Sequence, residues 1–208
     1  KTLIDEMEKP DFLDKLGFTK ENGFEINFDK LIVSGHSMGG CTAFRAAQSE
    51  DRIKCCLTLD MWLLPMHKEV FAGKFKGLDK PLFMINSESF PEQAKSFSHP
   101  NCYKKVLDKI KSKEFDEIII LDSDHAHQTD AIVVLNDLFD IQRIFQQRKM
   151  PKRDAHLVYQ VQSWLQLSFL GRCGFTNNNF DQSQVEKNID EVREKYVQYQ
   201  RKYELKKE

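Results

Sequence analysis

The chain has 208 residues, 40% of them hydrophobic and 30% charged, enough to bury the core of one globular domain. A net charge of −1, with no basic patch and no basic–aromatic interleaving, excludes nucleic acid as an expected partner. No apolar run approaches the roughly 18 residues of a membrane-spanning helix. Cys41, Cys55, Cys56, Cys102 and Cys173 are an odd set without metal-ligand spacing. They read as buried small hydrophobes, which fits a reducing compartment and a cytoplasmic protein.

Residue 1 is a lysine inside a helical pattern, so the chain reads as part of a longer protein. That pattern covers 2–16 with an interruption near Pro10, and Asn22-Gly23 marks a turn. The apolar run at 31–34 is the first expected strand. Behind it come the glycine-rich Gly35-His36-Ser37-Met38-Gly39-Gly40 and an expected helix over 39–49. Further strands are expected at 54–59, 82–86 and 117–121, and helices over 101–112, 129–148 and 154–170. Apolar strands alternating with helical patterns imply a mostly parallel sheet flanked by helices. Adjacent Cys55 and Cys56 would then face opposite sides of a strand and could not pair with each other.

These strands and helices are expected to form one domain over 1–175. From about Asp181 the character changes: Val185, Ile189, Val192, Tyr196, Tyr199 and Tyr203 are spaced 4, 3, 4, 3 and 4 on an otherwise charged segment. Residues 181–208 are therefore expected to form a C-terminal helical extension with a heptad-like seam. That seam could fold back on its own domain or dock on a protein partner.

Strand, sharp glycine-flanked turn and helix form the setting of a nucleophile elbow. Ser37 would be lifted above the strand end, Gly35 and Gly39 would let strand and helix approach closely, and the Met38 N–H would face a developing oxyanion. A serine hydroxyl needs a histidine base oriented by a carboxylate. An α/β-hydrolase supplies them in the order serine, acid, histidine. Asp60 ends the apolar strand at 54–59, and a carboxylate among such neighbours must be paired. Asp122 and Asp124 are rival acids that read better as loop residues. For the base, position does not separate His125 from His127. His36 reads as support for the turn, and His67, His99 and His156 as structural or exposed.

Four ordered blocks carry a resemblance: Gly35-His36-Ser37-Met38-Gly39-Gly40; Arg52-Ile53-Lys54-Cys55-Cys56-Leu57-Thr58-Leu59-Asp60-Met61-Trp62-Leu63-Leu64-Pro65; Lys80-Pro81-Leu82-Phe83-Met84-Ile85-Asn86-Ser87-Glu88; and His127-Gln128. Together they resemble the platelet-activating-factor acetylhydrolases of the plasma and type II intracellular kind, over about 28–171. The resemblance implies an α/β-hydrolase fold and calcium-independent removal of short or oxidised sn-2 acyl chains from phospholipids. It matches Ser37 to the nucleophile, Asp60 to the acid, and His127, of the His-Gln pair, to the base. Met38 N–H is one oxyanion donor. The second donor, and the N-terminal strands of the sheet, would lie upstream and are expected to be missing from this chain.

The expected function is thus a serine esterase using Ser37, Asp60 and His127, with no metal or organic cofactor and a phospholipid substrate. Trp62, Leu63 and Leu64, in an apolar stretch with Val70, Phe71 and Phe75, are the expected substrate-binding rim, with contact to a membrane surface. Two other functions fit the same residues. One is a hydrolase-like structural subunit of a larger assembly, suggested by the tail. The other is a general carboxylesterase or thioesterase, because pocket walls rather than the triad set the substrate.

Overall fold

A computed structural model describes residues 2–18, 23–90, 100–129, 134, 154–177 and 179–201. In chain order these form α1 (Thr2–Met7), α2 (Phe12–Lys15), β1 (Ile32–His36), α3 (Met38–Ser49), β2 (Cys55–Leu59), α4 (His67–Phe71) and β3 (Leu82–Ser87). Then follow α5 (Pro100–Leu107), β4 (Phe115–Ile120), a 3₁₀ turn (His125–Gln128), α6 (Ala155–Arg172), α7 (Gln182–Tyr196) and β5 (Val197–Arg201). The helix expected over 129–148 lies almost wholly outside the described residues.

The strands form one sheet in the order β1-β2-β3-β4-β5. The pairs β1–β2, β2–β3 and β3–β4 are parallel, and β4–β5 is antiparallel. Alternation along the strands sends side chains to two separate cores. Cys56, Leu82 and Met84 pack with Phe44 and Ala47 of α3, Val70 of α4 and Val106 of α5. Cys55, Leu57, Leu59, Phe83 and Ile85 point the other way, to Val158, Val161, Leu165 and Phe169 of α6. Phe83 and Phe169 stack with ring centroids 5.0 Å apart. A parallel sheet covered on both faces explains why β2 and β3 are buried along their whole length. This is the mostly parallel, helix-flanked sheet of an α/β-hydrolase. The five cysteines are free thiols, with Cys55 and Cys56 in opposite cores.

The C-terminal stretch differs from the helix expected over 181–208. The helix ends at Tyr196, and Val197–Arg201 turns into β5, whose Tyr199 lies opposite Ile118. Val185, Ile189, Val192, Tyr196 and Tyr199 all pack into the core under α6, with Ile189 fully buried. The seam is therefore engaged inside the molecule, and a partner could use it only by displacing this packing. Tyr203 lies outside the described residues. The spacing failed as a predictor of one long helix because β-strand Tyr199 serves the same core as helical Tyr196.

Candidate active site

Among the described residues, three non-glycines have positive φ: Ser37 (58°), Asp60 (44°) and Asp122 (54°). Each follows closely on the end of a parallel strand: β1, β2 and β4, respectively. L-residues avoid this region at a cost of about 1–3 kcal/mol each, so such strain persists only where the surroundings impose it. Around Ser37 they do. Its N–H donates to the Leu59 carbonyl (2.8 Å), and its own carbonyl accepts from Trp62 N–H (2.9 Å). A Cβ on Gly35 would lie 2.2 Å from the Gly39 carbonyl oxygen, and one on Gly40 3.0 Å from the Gly35 oxygen. The close approach of strand and helix thus belongs to Gly35 and Gly40. Gly39, which the sequence suggested for that role, faces open space.

The turn delivers Ser37 Oγ to a position 3.0 Å from His125 Nε2. The other ring nitrogen, Nδ1, is 3.1 Å from Asp60 Oδ2. A carboxylate can only accept, so Nδ1 carries the proton and the Nε2 lone pair faces the serine hydroxyl. Asp60 is fully buried, and its carboxylate also accepts from the Ser87 N–H (2.6 Å, to Oδ1) and the Ser87 hydroxyl (2.7 Å, to Oδ2). Its own N–H donates to Ile85 O (2.8 Å). Three donors on a buried carboxylate compensate the loss of its hydration and fix its plane.

The base is His125, and the expectation of His127 is corrected. His127 is 3% exposed and turned away from Ser37; its Nδ1 donates to Asp124 Oδ1 (2.9 Å). Asp124 also accepts from the Ala126 N–H (2.9 Å) and the His127 N–H (3.4 Å), which closes the 3₁₀ turn. Burial opposes ionisation of Asp124, but the bonds from His127 and these amides outweigh it and hold the carboxyl below its ordinary range. Two residues of 3₁₀ turn separate the histidines by about two thirds of a revolution, so only one can face the serine.

The turn is tied down from outside. The Asp122 N–H donates to Glu88 Oε2 (2.6 Å), Ser89 N–H to the Ser123 carbonyl (3.2 Å), and Leu121 N–H to the Tyr196 carbonyl (2.9 Å). His125 stacks on Phe90 (centroids 5.1 Å, 13°) and lies against His36 (4.3 Å, 35°). Ser87, Glu88 and Phe90 were missed in the sequence. Ser87 is the last residue of β3 and Glu88 and Phe90 come just after it; nothing in their local sequence shows that β3 lies beside the strand that ends at Asp60.

Met38 opens α3, so its N–H has no intrahelical acceptor by position and belongs to the positive end of the helix dipole. Of the expected rim, Leu63 is corrected: it is 3% exposed and packs in the core with Met66 and Val70. Trp62 is half-buried, with its amide on the Ser37 carbonyl, while Leu64 is exposed. His36, Asp60 and His125 offer ligand atoms within 4.8 Å of one another, a spacing a metal ion could exploit. Both His125 nitrogens already bond to Ser37 and Asp60, so an ion there would compete with that line of hydrogen bonds.

The family described as platelet-activating factor acetylhydrolase, isoform II, matches residues 17–194 of the chain. A "Platelet-activating factor acetylhydrolase" of Canis lupus familiaris is 39% identical over 80 residues, which is 38% of this chain and 17% of that protein. The Bos taurus protein of that name is 33% identical over 78 residues, covering 38% and 17%. The Cavia porcellus protein is 28% identical over 103 residues, covering 42% and 23%. The chain thus spans about a fifth of the length of these relatives.

Proposed function

Because the chain belongs to the platelet-activating factor acetylhydrolase, isoform II, family, we propose that it is the triad-bearing part of a serine esterase acting on short or oxidised sn-2 acyl chains of phospholipids. The observation that carries the esterase reading is the unbroken line Ser37 Oγ–His125 Nε2, His125 Nδ1–Asp60 Oδ2. The names of the relatives support the substrate class.

Ser37 Oγ attacks the ester carbonyl carbon while His125 Nε2 takes its proton. Asp60 stabilises the resulting imidazolium through Nδ1–H and keeps the ring in place. The Met38 N–H donates to the oxyanion. Collapse breaks the bond to the glycerol oxygen, which leaves with the proton from Nε2 as a lysophospholipid. Water, deprotonated by His125, then attacks the acyl-Ser37 ester, and Ser37 recovers its proton as the acid departs. Trp62 and Leu64 serve as the apolar wall for the lipid, and exposed Met38 (57%) and Leu64 (44%) favour contact with a lipid surface.

The test is hydrolysis of a 2-acetyl phospholipid, a long-chain phospholipid and a simple acetyl ester by the full-length protein and its Ser37→Ala variant. Turnover of the 2-acetyl lipid that is lost in S37A, and exceeds that of the long-chain lipid, is expected. Ser37-dependent turnover of the simple ester alone would make the protein a general carboxylesterase. No Ser37-dependent turnover by folded protein would remove the esterase reading.

A further inference from the structure

We propose that His36 is a positioning residue for the base, holding the backbone carbonyl of His125 with its Nε2–H while its ring supports the His125 imidazole. The inference rests on the esterase reading above. His36 is the last residue of β1, paired with Leu59 of β2 and adjacent to Ser37, so its backbone is as fixed as the nucleophile's. Its Nε2 lies 3.1 Å from the His125 carbonyl oxygen. That oxygen can only accept, so Nε2 carries the proton. Burial first, and the neighbouring His125 second, keep His36 below its ordinary histidine value, while the Asp60 charge and the hydrogen bond to His125 pull more weakly the other way. His36 is therefore a neutral Nε2–H tautomer at pH 7.

This contact supplies what the triad geometry lacks. Asp60 holds the His125 ring at one nitrogen and does not touch its main chain. The ring belongs to a four-residue 3₁₀ turn, 88 residues along the chain from Ser37. His36 fixes the main chain of His125 directly to the strand that carries the serine. Its ring and that of Phe90 restrict the imidazole plane. A misplacement of about 1 Å between reacting groups costs about 10²-fold in rate. Losing the donor should accordingly slow the chemical step by about tenfold to hundredfold.

The experiment uses the full-length protein with His36→Phe, which keeps a ring but has no donor, and His36→Gln, whose side-chain N–H₂ replaces the Nε2–H. A fluorophosphonate titrates the competent Ser37 sites, so kcat is expressed per site and misfolded protein drops out. The expected result is a fall in kcat of about tenfold or more for H36F at nearly constant KM, with H36Q recovering most of it. Equal kcat for H36F and wild type overturns the inference, as does an equal fall in both variants. Should H36F not fold, nitrogen-15 spectra of wild-type imidazoles decide: a neutral Nε2–H at pH 7 supports the bond, and an Nδ1–H tautomer or a doubly protonated ring overturns it. Wild type without Ser37-dependent turnover would remove the esterase reading and this inference together. Active wild type beside an unaffected H36F removes this inference alone.

Discussion

The two histidines of Asp124-His125-Ala126-His127 should separate cleanly under substitution. His125→Gln removes the nitrogen 3.0 Å from Ser37 Oγ and leaves Asp60 with the Ser87 donors. Loss of a general base typically costs about 10²–10⁴ in rate, or about 2.7–5.4 kcal/mol at 1.36 kcal/mol per decade. His127→Ala leaves Ser37 and Asp60 untouched and breaks the buried bond to Asp124 Oδ1. A hydrogen bond to a charged group contributes about 1.5–3 kcal/mol of stability. For a domain of this size that lowers Tm by about 3–12 °C. The assay is kcat per mole of folded protein at a temperature where both variants are folded, with a thermal melt of each. H125Q should lose activity while folded, and H127A should lose Tm while keeping at least about tenfold more activity than H125Q. An inactive, folded H127A beside an active H125Q would refute the assignment of the base.

Gly35→Ala places a Cβ 2.2 Å from a carbonyl oxygen of the helix backbone, which no side-chain movement relieves. It should cost about 3 kcal/mol or more and abolish fluorophosphonate labelling, whereas Gly39→Ala, with nothing within 4 Å, should gain up to about 1 kcal/mol of helix stability in urea melts. Ile189→Ala, fully buried under α6, should destabilise the domain by about 2–5 kcal/mol in urea titration. An unchanged midpoint would mean that α7 does not pack as described. Stability should also fall as pH drops below the ordinary histidine value of 6.5, where the unfolded chain takes up a proton at residue 36 that the folded chain resists. His125 opposes that proton by charge and Asp60 favours it, with burial the largest influence. Urea melts from pH 7.5 to 5 should therefore show a steeper loss for wild type than for H36F; parallel loss would refute it.

The sequence alone determined the parts whose cause is local. The apolar strands, the glycine-bounded elbow at Ser37 and an aspartate stranded at the end of a buried run are all legible because the chemistry sits within a few residues of its cause. Tertiary structure decided the rest. His125 and His127 differ by two positions in one turn, and only packing against Ser37, Asp60 and Asp124 sets which ring meets the serine. Leu63 and Leu64 read alike as neighbours in an apolar run, yet one enters the core and the other meets solvent. Ser87 becomes a partner of Asp60 only because β3 lies beside β2 in that register. The C-terminal seam has a helical spacing throughout, but the unpaired edge of β4 accepts Val197–Arg201 as a strand. Hydrophobic spacing records which residues want burial; which surface buries them depends on elements far away in the chain.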